Sequence, residues 1–124
     1  MDERTKAKAD KLEDILTALC NSYGLLTREN FLAKIVSGEF EVIKLANSCY
    51  GLVRWKHDKV LEVLTCTGNY EGAEGAMLSI ERYATGGGAK AIIGLARWGW
   101  KPLLERMHYQ TGSRLFFFRK ELKQ

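Results

Sequence analysis

Nothing in the chain approaches the roughly 20 consecutive apolar residues that a bilayer-spanning helix needs. Its opening, Met1-Asp2-Glu3-Arg4-Thr5-Lys6, has no apolar stretch of the kind a secretion signal carries. A soluble, cytoplasmic protein is therefore expected. Cysteine is scarce and scattered: Cys20, Cys49 and Cys66 are odd in number, far apart and never in a Cys-x-x-Cys pair. Buried free thiols are expected, rather than a disulfide framework or a zinc cage. Only two histidines occur, His57 in the polar run Lys56-His57-Asp58-Lys59 and His108 at the end of a helical pattern, and they are too isolated to define a metal set. The formal charge is only +4, short of the dense positive surface of a dedicated nucleic-acid binder. With neither a helix-turn-helix pattern nor an aromatic RNA-binding strand motif, nucleic acid is not the expected partner. Internal repeats, low-complexity tracts and long linkers are lacking as well.

At 124 residues and 46% hydrophobic content, the chain suits one domain, 1–124, that buries its own core. Residues 3 to 22 carry Leu12, Ile15, Leu16 and Leu19 at helical spacing with charges between, and Asp2 is placed to cap the start. Gly24 stops that helix. Thr27 begins a second, with Glu29 in its first turn and Phe31, Leu32, Ile35 and Val36 as its apolar side. From Glu39 the period falls to two: Phe40, Val42 and Leu45 form one strand, Asn47-Ser48 a turn, and Tyr50 to Trp55 the next strand. Lys56-His57-Asp58-Lys59 then leads into Val60 to Cys66, so an antiparallel meander is predicted. A helix over 71–84, a strand Ala91 to Leu95, a helix Trp98 to Met107 and a strand Leu115 to Arg119 complete the chain. A strand reached through a helical crossover runs most simply parallel to the one before it. The predicted fold is thus α/β (α+β), with a mixed sheet that is antiparallel first and parallel later.

The junction Thr67-Gly68-Asn69-Tyr70-Glu71-Gly72-Ala73-Glu74-Gly75 feeds a strand into a helix N-terminus, which leaves several backbone N–H groups free to hold a phosphate. Glu71 and Glu74 also suit that helix dipole. Gly86-Gly87-Gly88 follows a helix rather than a strand, the placement of a helix stop and not of a phosphate loop. Arg97, Lys101, Arg106, Arg114, Arg119, Lys120 and Lys123 gather in the last third. Trp98 and Trp100, two apart at a helix start, cannot face the same way, so one is expected in the core and the other toward a loop or partner. Phe116-Phe117-Phe118 reads as a buried strand. Glu62 interrupts the apolar row that it forms with Val60, Leu64 and Cys66. A carboxylate desolvated there would suit a general base, and a structural pair with Lys59 or Arg54 is the alternative.

This order of elements resembles the Gcn5-related N-acetyltransferase (GNAT) fold over about residues 10 to 122, beginning after that family's usual first strand and with a shortened C-terminal end. The resemblance is most specific in Arg97-Trp98-Gly99-Trp100-Lys101-Pro102-Leu103-Leu104-Glu105-Arg106-Met107-His108-Tyr109 and in Phe117-Phe118-Arg119-Lys120-Glu121-Leu122. These look like the family's last helix, closing small-aromatic pair and final strand. The resemblance implies acetyl-CoA as cofactor, held where two parallel strands splay apart, here Val60 to Cys66 and Ala91 to Leu95. The pantetheine arm would meet backbone at Leu64, Thr65 and Cys66, and the pyrophosphate amides from Asn69 through Gly72 to Gly75. Arg97 and Lys101 complete the set assigned to the cofactor, and Glu62 would take the proton from an acceptor amine. Three positions depart from the family pattern. Glu74 stands where the pyrophosphate loop carries Gly or Ala. Arg97 stands at the usual Asn, and Leu104 at the Tyr that serves as acid toward the leaving thiolate. Tyr109 fits the core better than catalysis, and Tyr70 or Tyr83 is the remaining candidate acid.

Two functions are therefore expected: N-acetyl transfer from acetyl-CoA to an amine, or a catalytically inactive GNAT-like binding or assembly protein. Short chains with a Gly-Trp helix start loosely resemble proteins of bacteriophage genomes, which would act in the bacterial host cytoplasm. With too little chain after Phe118 for the family's terminal hairpin, an exposed sheet edge is expected, open to a protein partner or a second copy.

Overall fold

Thr27 begins the second helix by accepting a hydrogen bond from the Asn30 amide at 3.2 Å through its Oγ1, which satisfies one of the N–H groups that a helix start leaves over. The computed structural model describes residues 3–46, 49–67, 72–95, 100–111 and 117–122. Helix α1 (Glu3–Tyr23) precedes α2 (Arg28–Val36), followed by strands β1 (Glu41–Lys44), β2 (Tyr50–Lys56) and β3 (Val60–Thr67). Then come α3 (Ala73–Gly86), β4 (Ala91–Leu95), α4 (Lys101–Arg106), β5 (Gln110–Thr111) and β6 (Phe117–Glu121). Asp2, Asn47, Ser48, Arg114 and Phe116 lie outside the described residues. No helix among the described residues is long and apolar enough to cross a membrane.

The strands form one six-stranded sheet in the order β1-β2-β3-β4-β6-β5. Alternation along the strands sorts its faces into two cores. One face packs Leu52, Phe40 and Leu64 against Leu19 and Cys20 of α1 and Phe31 of α2. The other packs Val53, Leu61, Val63, Ile92 and Phe118 against α3 and α4. Helix α3 supplies Ala73, Ala76, Met77, Ile80 and Ala84, a helical stripe of buried residues. Helix α4 supplies Leu103 and Leu104. Two side chains read as apolar-face members turn out to be exposed: Leu12 at 53% and Val36 at 87%.

The Gly86-Gly87-Gly88 run stops α3 as expected. The Gly87 amide donates to Tyr83 O and the Ala89 amide to Ala84 O, while Gly88 takes φ 77°. The meander β1-β2-β3 is antiparallel, and β3 and β4 are parallel across α3. The last strand corrects the sequence reading, because β6 runs antiparallel to β4. The crossover through α4 delivers the chain first to β5, antiparallel to β6 and hence parallel to β4, at the far edge of the sheet. Returning from β5, the chain enters the slot beside β4, and a strand inserted that way reverses direction. The crossover rule thus holds for β5 and not for β6, and the last strand gains an antiparallel partner from the short β5 upstream of it.

Candidate functional site

Strands β3 and β4 are in register from Val60↔Ala91 to Val63↔Gly94, and there their ladder ends. On its other side β3 goes on pairing with β2, through Leu52↔Thr65, Gly51↔Cys66 and Tyr50↔Thr67. Among the described residues, segment 64–67 therefore has no strand partner on the side toward β4. Backbone N–H and C=O groups left out of a ladder are obligatory hydrogen-bonding groups that await one.

An irregularity in β3 coincides with the end of that pairing. Val53 lies opposite Val63 and Leu52 opposite Thr65, so Leu64 is an extra residue, a β-bulge. Leu64 packs into the α1/α2 core, and the Thr65 hydroxyl shares a hydrogen bond with Ser22 Oγ near the end of α1. Two successive side chains thus face the same helices, and Cys66 falls on the opposite face, against the α3/α4 core. This corrects the expected common row of Val60, Glu62, Leu64 and Cys66: the alternation restarts at the bulge.

Just before the bulge the strands are tight. A Cβ on Gly94 would stand 2.5 Å from Phe118 Cζ and 2.8 Å from the Val63 carbonyl oxygen. Only glycine lets β4 sit between the Phe118 ring and β3. The ring is held edge-on by Tyr109, with centroids 5.4 Å apart.

Glu62 lies on β3, two residues before the bulge, opposite Arg54. Its Oε1 accepts from Arg54 Nε at 2.5 Å, its Oε2 is 3.8 Å from Lys56 Nζ, and its side chain is 18% exposed. Arg54 in turn reaches Glu39 at 4.0 Å. The carboxylate is half-buried as expected but compensated, the structural pairing with Arg54 that the sequence left open.

Cys66 has its thiol pushed up to about 12, by burial and secondarily by Cys49, so it is protonated at neutral pH and is no nucleophile. The candidate acids are engaged elsewhere. Tyr83 donates its hydroxyl proton to Glu41 on the edge strand, and burial together with that bond raises its pKa. Tyr109 is buried, raised by burial and by Glu81, to which it donates at 3.2 Å. Lys120 completes that cluster, donating to Glu81 Oε1 at 2.9 Å and to the Met107 carbonyl at 3.0 Å. Leu104 is buried.

Helix α3 has Gly72 in the cap position and Glu74 in its first turn. Gly75 lies in that same turn, and its carbonyl accepts from Ser79 Oγ at 3.0 Å. Asn69, Tyr70 and Glu71 of the expected phosphate turn, and Arg97 and Trp98 before α4, lie outside the described residues. Lys101 begins α4, 3.8 Å from Glu105, and Trp100 packs against the α3/α4 core. The basic end is internally balanced: Arg106 lies 3.8 Å from Glu74, Arg119 2.6 Å from Glu121, and Lys120 is held by Glu81.

Glu62, Leu64, Thr65 and Cys66 are thus carried by one strand, with Gly72 and Gly75 at the start of the helix that follows it. Sequence reasoning missed Ser22 and Gly94. Ser22 gave no local signal, because its bond joins residues 43 apart. Gly94 gave one, since an isolated glycine in a strand pattern marks a close backbone approach. No protein-family model, curated protein or solved structure matches this chain.

Proposed function

We propose that this chain binds an acyl-CoA in the wedge between β3 and β4 and transfers its acetyl group to an amine, as a short, divergent protein of the GNAT type. The observation that carries the reading is the coincidence of the Leu64 bulge with the end of the β3–β4 ladder at Val63↔Gly94. It leaves an extended backbone edge at 64–67 against which the amide-rich pantetheine arm can hydrogen-bond as a substitute strand. The parallel pairing of β3 and β4 across α3, with α3 as the next helix after β3, supports this reading. The positive end of the α3 dipole favours the pyrophosphate there.

In this mechanism the amine nitrogen attacks the thioester carbonyl, and N–H groups of the 64–66 segment stabilise the oxyanion that forms. The C–S bond then breaks, and CoA leaves as a thiolate that takes its proton from solvent, since Tyr83 and Tyr109 are bonded elsewhere. Glu62 accepts the proton of the attacking nitrogen, and Arg54 fixes the orientation of its carboxylate. Release of free CoA thiol from acetyl-CoA, assayed over a panel of lysine peptides, α-amino peptides and polyamines, tests the reaction. Amine-dependent thiol release supports transfer.

One observation favours a second reading, a GNAT-like binding or assembly protein without turnover. Glu62 is ion-paired with both Arg54 and Lys56, the arrangement of a structural salt-bridge cluster on the sheet. Acetyl-CoA binding without thiol release for any amine in the panel would select this reading and direct attention to a protein partner or a second copy.

A further inference from the structure

We infer that Ser22, the penultimate residue of α1, is a positioning residue for the cofactor-binding edge of β3, and this rests on the reading of that edge as the acyl-CoA site. The Ser22 and Thr65 hydroxyls are 2.5 Å apart. Thr65 follows the inserted residue Leu64 directly, so the bond ties α1 to the point where the chain has a residue more than its neighbour strand needs. A bulge confers one geometry on a strand only if the extra residue is pinned; otherwise the register can slip by one and every later side chain changes face. Leu64 is held by the α1/α2 core through apolar contacts alone, which set depth but not direction. The hydroxyl pair adds the directional element.

The end of α1 is itself fixed. Gly24 accepts φ 70° and donates its amide to Cys20 O at 2.9 Å, and the Cys20 thiol faces Leu26 O at 3.9 Å. Ser22 therefore sits in a helix turn closed on both sides, and Thr65 is referred to a rigid element. Downstream, Cys66 returns to the α3/α4 core, and among the described residues the segment 64–67 has no strand partner toward β4. Without the tie, Thr65 can rotate its hydroxyl to water, and the edge samples orientations that a pantetheine arm cannot use. The role differs from that of Glu62, because it acts on binding and not on proton transfer.

The test compares wild type with Ser22→Ala and Ser22→Thr by calorimetric titration with acetyl-CoA, together with amide hydrogen exchange at residues 64–67. The loss of one hydrogen bond corresponds to about fivefold weaker acetyl-CoA binding in Ser22→Ala, with faster exchange at Thr65 and Cys66. Ser22→Thr, which keeps a hydroxyl, restores both. Wild-type affinity and unchanged exchange in Ser22→Ala would overturn the inference while leaving the acyl-CoA reading intact. So would a lowered melting temperature with affinity unchanged, since that is the mark of a merely structural bond. Absence of acetyl-CoA binding by the wild type would remove the acyl-CoA reading and this inference with it.

Discussion

Val63 and Gly94 are the last residues at which β3 and β4 stand in register, and the missing side chain of the second lets the strands meet there. One residue further along β3 the bulge at Leu64 begins. The close approach at Gly94 and the bulge are thus adjacent, with Phe118 on the other side of β4.

Gly94→Ala tests that close approach. The new methyl would meet the Val63 carbonyl, which is backbone and cannot swing aside, as well as the Phe118 ring. Overpacking of this kind costs about 1–3 kcal/mol. Urea denaturation is expected to show that loss, accompanied by weaker acetyl-CoA binding. A variant as stable as wild type would mean that β4 can shift without consequence.

At the other end of β3, the hairpin connecting it to β2 holds two consecutive non-glycine residues in the left-handed region, Asp58 at φ 63° and Lys59 at φ 59°. Such turns match the twist of a hairpin but favour Asn-Gly or Asp-Gly. Lys59→Gly is expected to stabilise the protein by about 0.5–1 kcal/mol, the relief of left-handed strain less the entropy glycine carries in the unfolded chain. Thermal melts of the two proteins at neutral pH would show it. An unchanged or lower melting temperature would mean that the Lys59 side chain makes a stabilising contact of its own.

Alkaline pH should weaken the fold through two buried groups. The Cys66 thiol is raised from 9.0 to about 12, by burial and then by Cys49, and the Tyr109 phenol is raised from 10.0, by burial and then by Glu81. Both folded values exceed the unfolded ones, so the unfolded chain releases protons first. Stability is fully present below pH 9 and falls above it, at most about 1.4 kcal/mol per pH unit for each group. Urea midpoints from pH 7 to 11 are expected to hold level and then drop. Cys66→Ala, whatever its cost at neutral pH, should shallow the slope between pH 9 and 10; an unchanged slope there would show that Cys66 titrates alike in both states.

Glu62→Gln separates the two functional readings. If Glu62 takes the proton, thiol release falls by at least about 100-fold while acetyl-CoA affinity stays within twofold of wild type, because the cofactor edge begins only at Leu64. Turnover retained in this variant would take Glu62 out of the mechanism and leave its bond to Arg54 as purely structural.

Much of this fold was legible in local chemistry. Thr27 announced a helix start, Gly87 and Gly88 a helix stop, and the boundaries of β4 were read to the residue, because caps and periods are set by near neighbours. What was not legible depends on distant ones. Leu64 looks like any alternating strand residue, and only its pairing with β2 reveals that it is supernumerary. The direction of β6 depends on a short β5, too brief to show a period, which takes the crossover and sends the chain back. Glu62, singled out in the sequence as a carboxylate interrupting an apolar row, lies on β3 and pairs with Arg54. Its partner Arg54 was one of two candidates, and the hairpin register at His57-Asp58-Lys59 decided between them.

The most direct measurement is calorimetric titration of the purified protein with acetyl-CoA, alongside CoA and 3′,5′-ADP. Binding in the β3–β4 wedge requires saturable one-site heat for acetyl-CoA and CoA, with 3′,5′-ADP weaker because it lacks the pantetheine arm that pairs with residues 64–67. No heat at millimolar acetyl-CoA, or equal affinity for all three ligands, would contradict it.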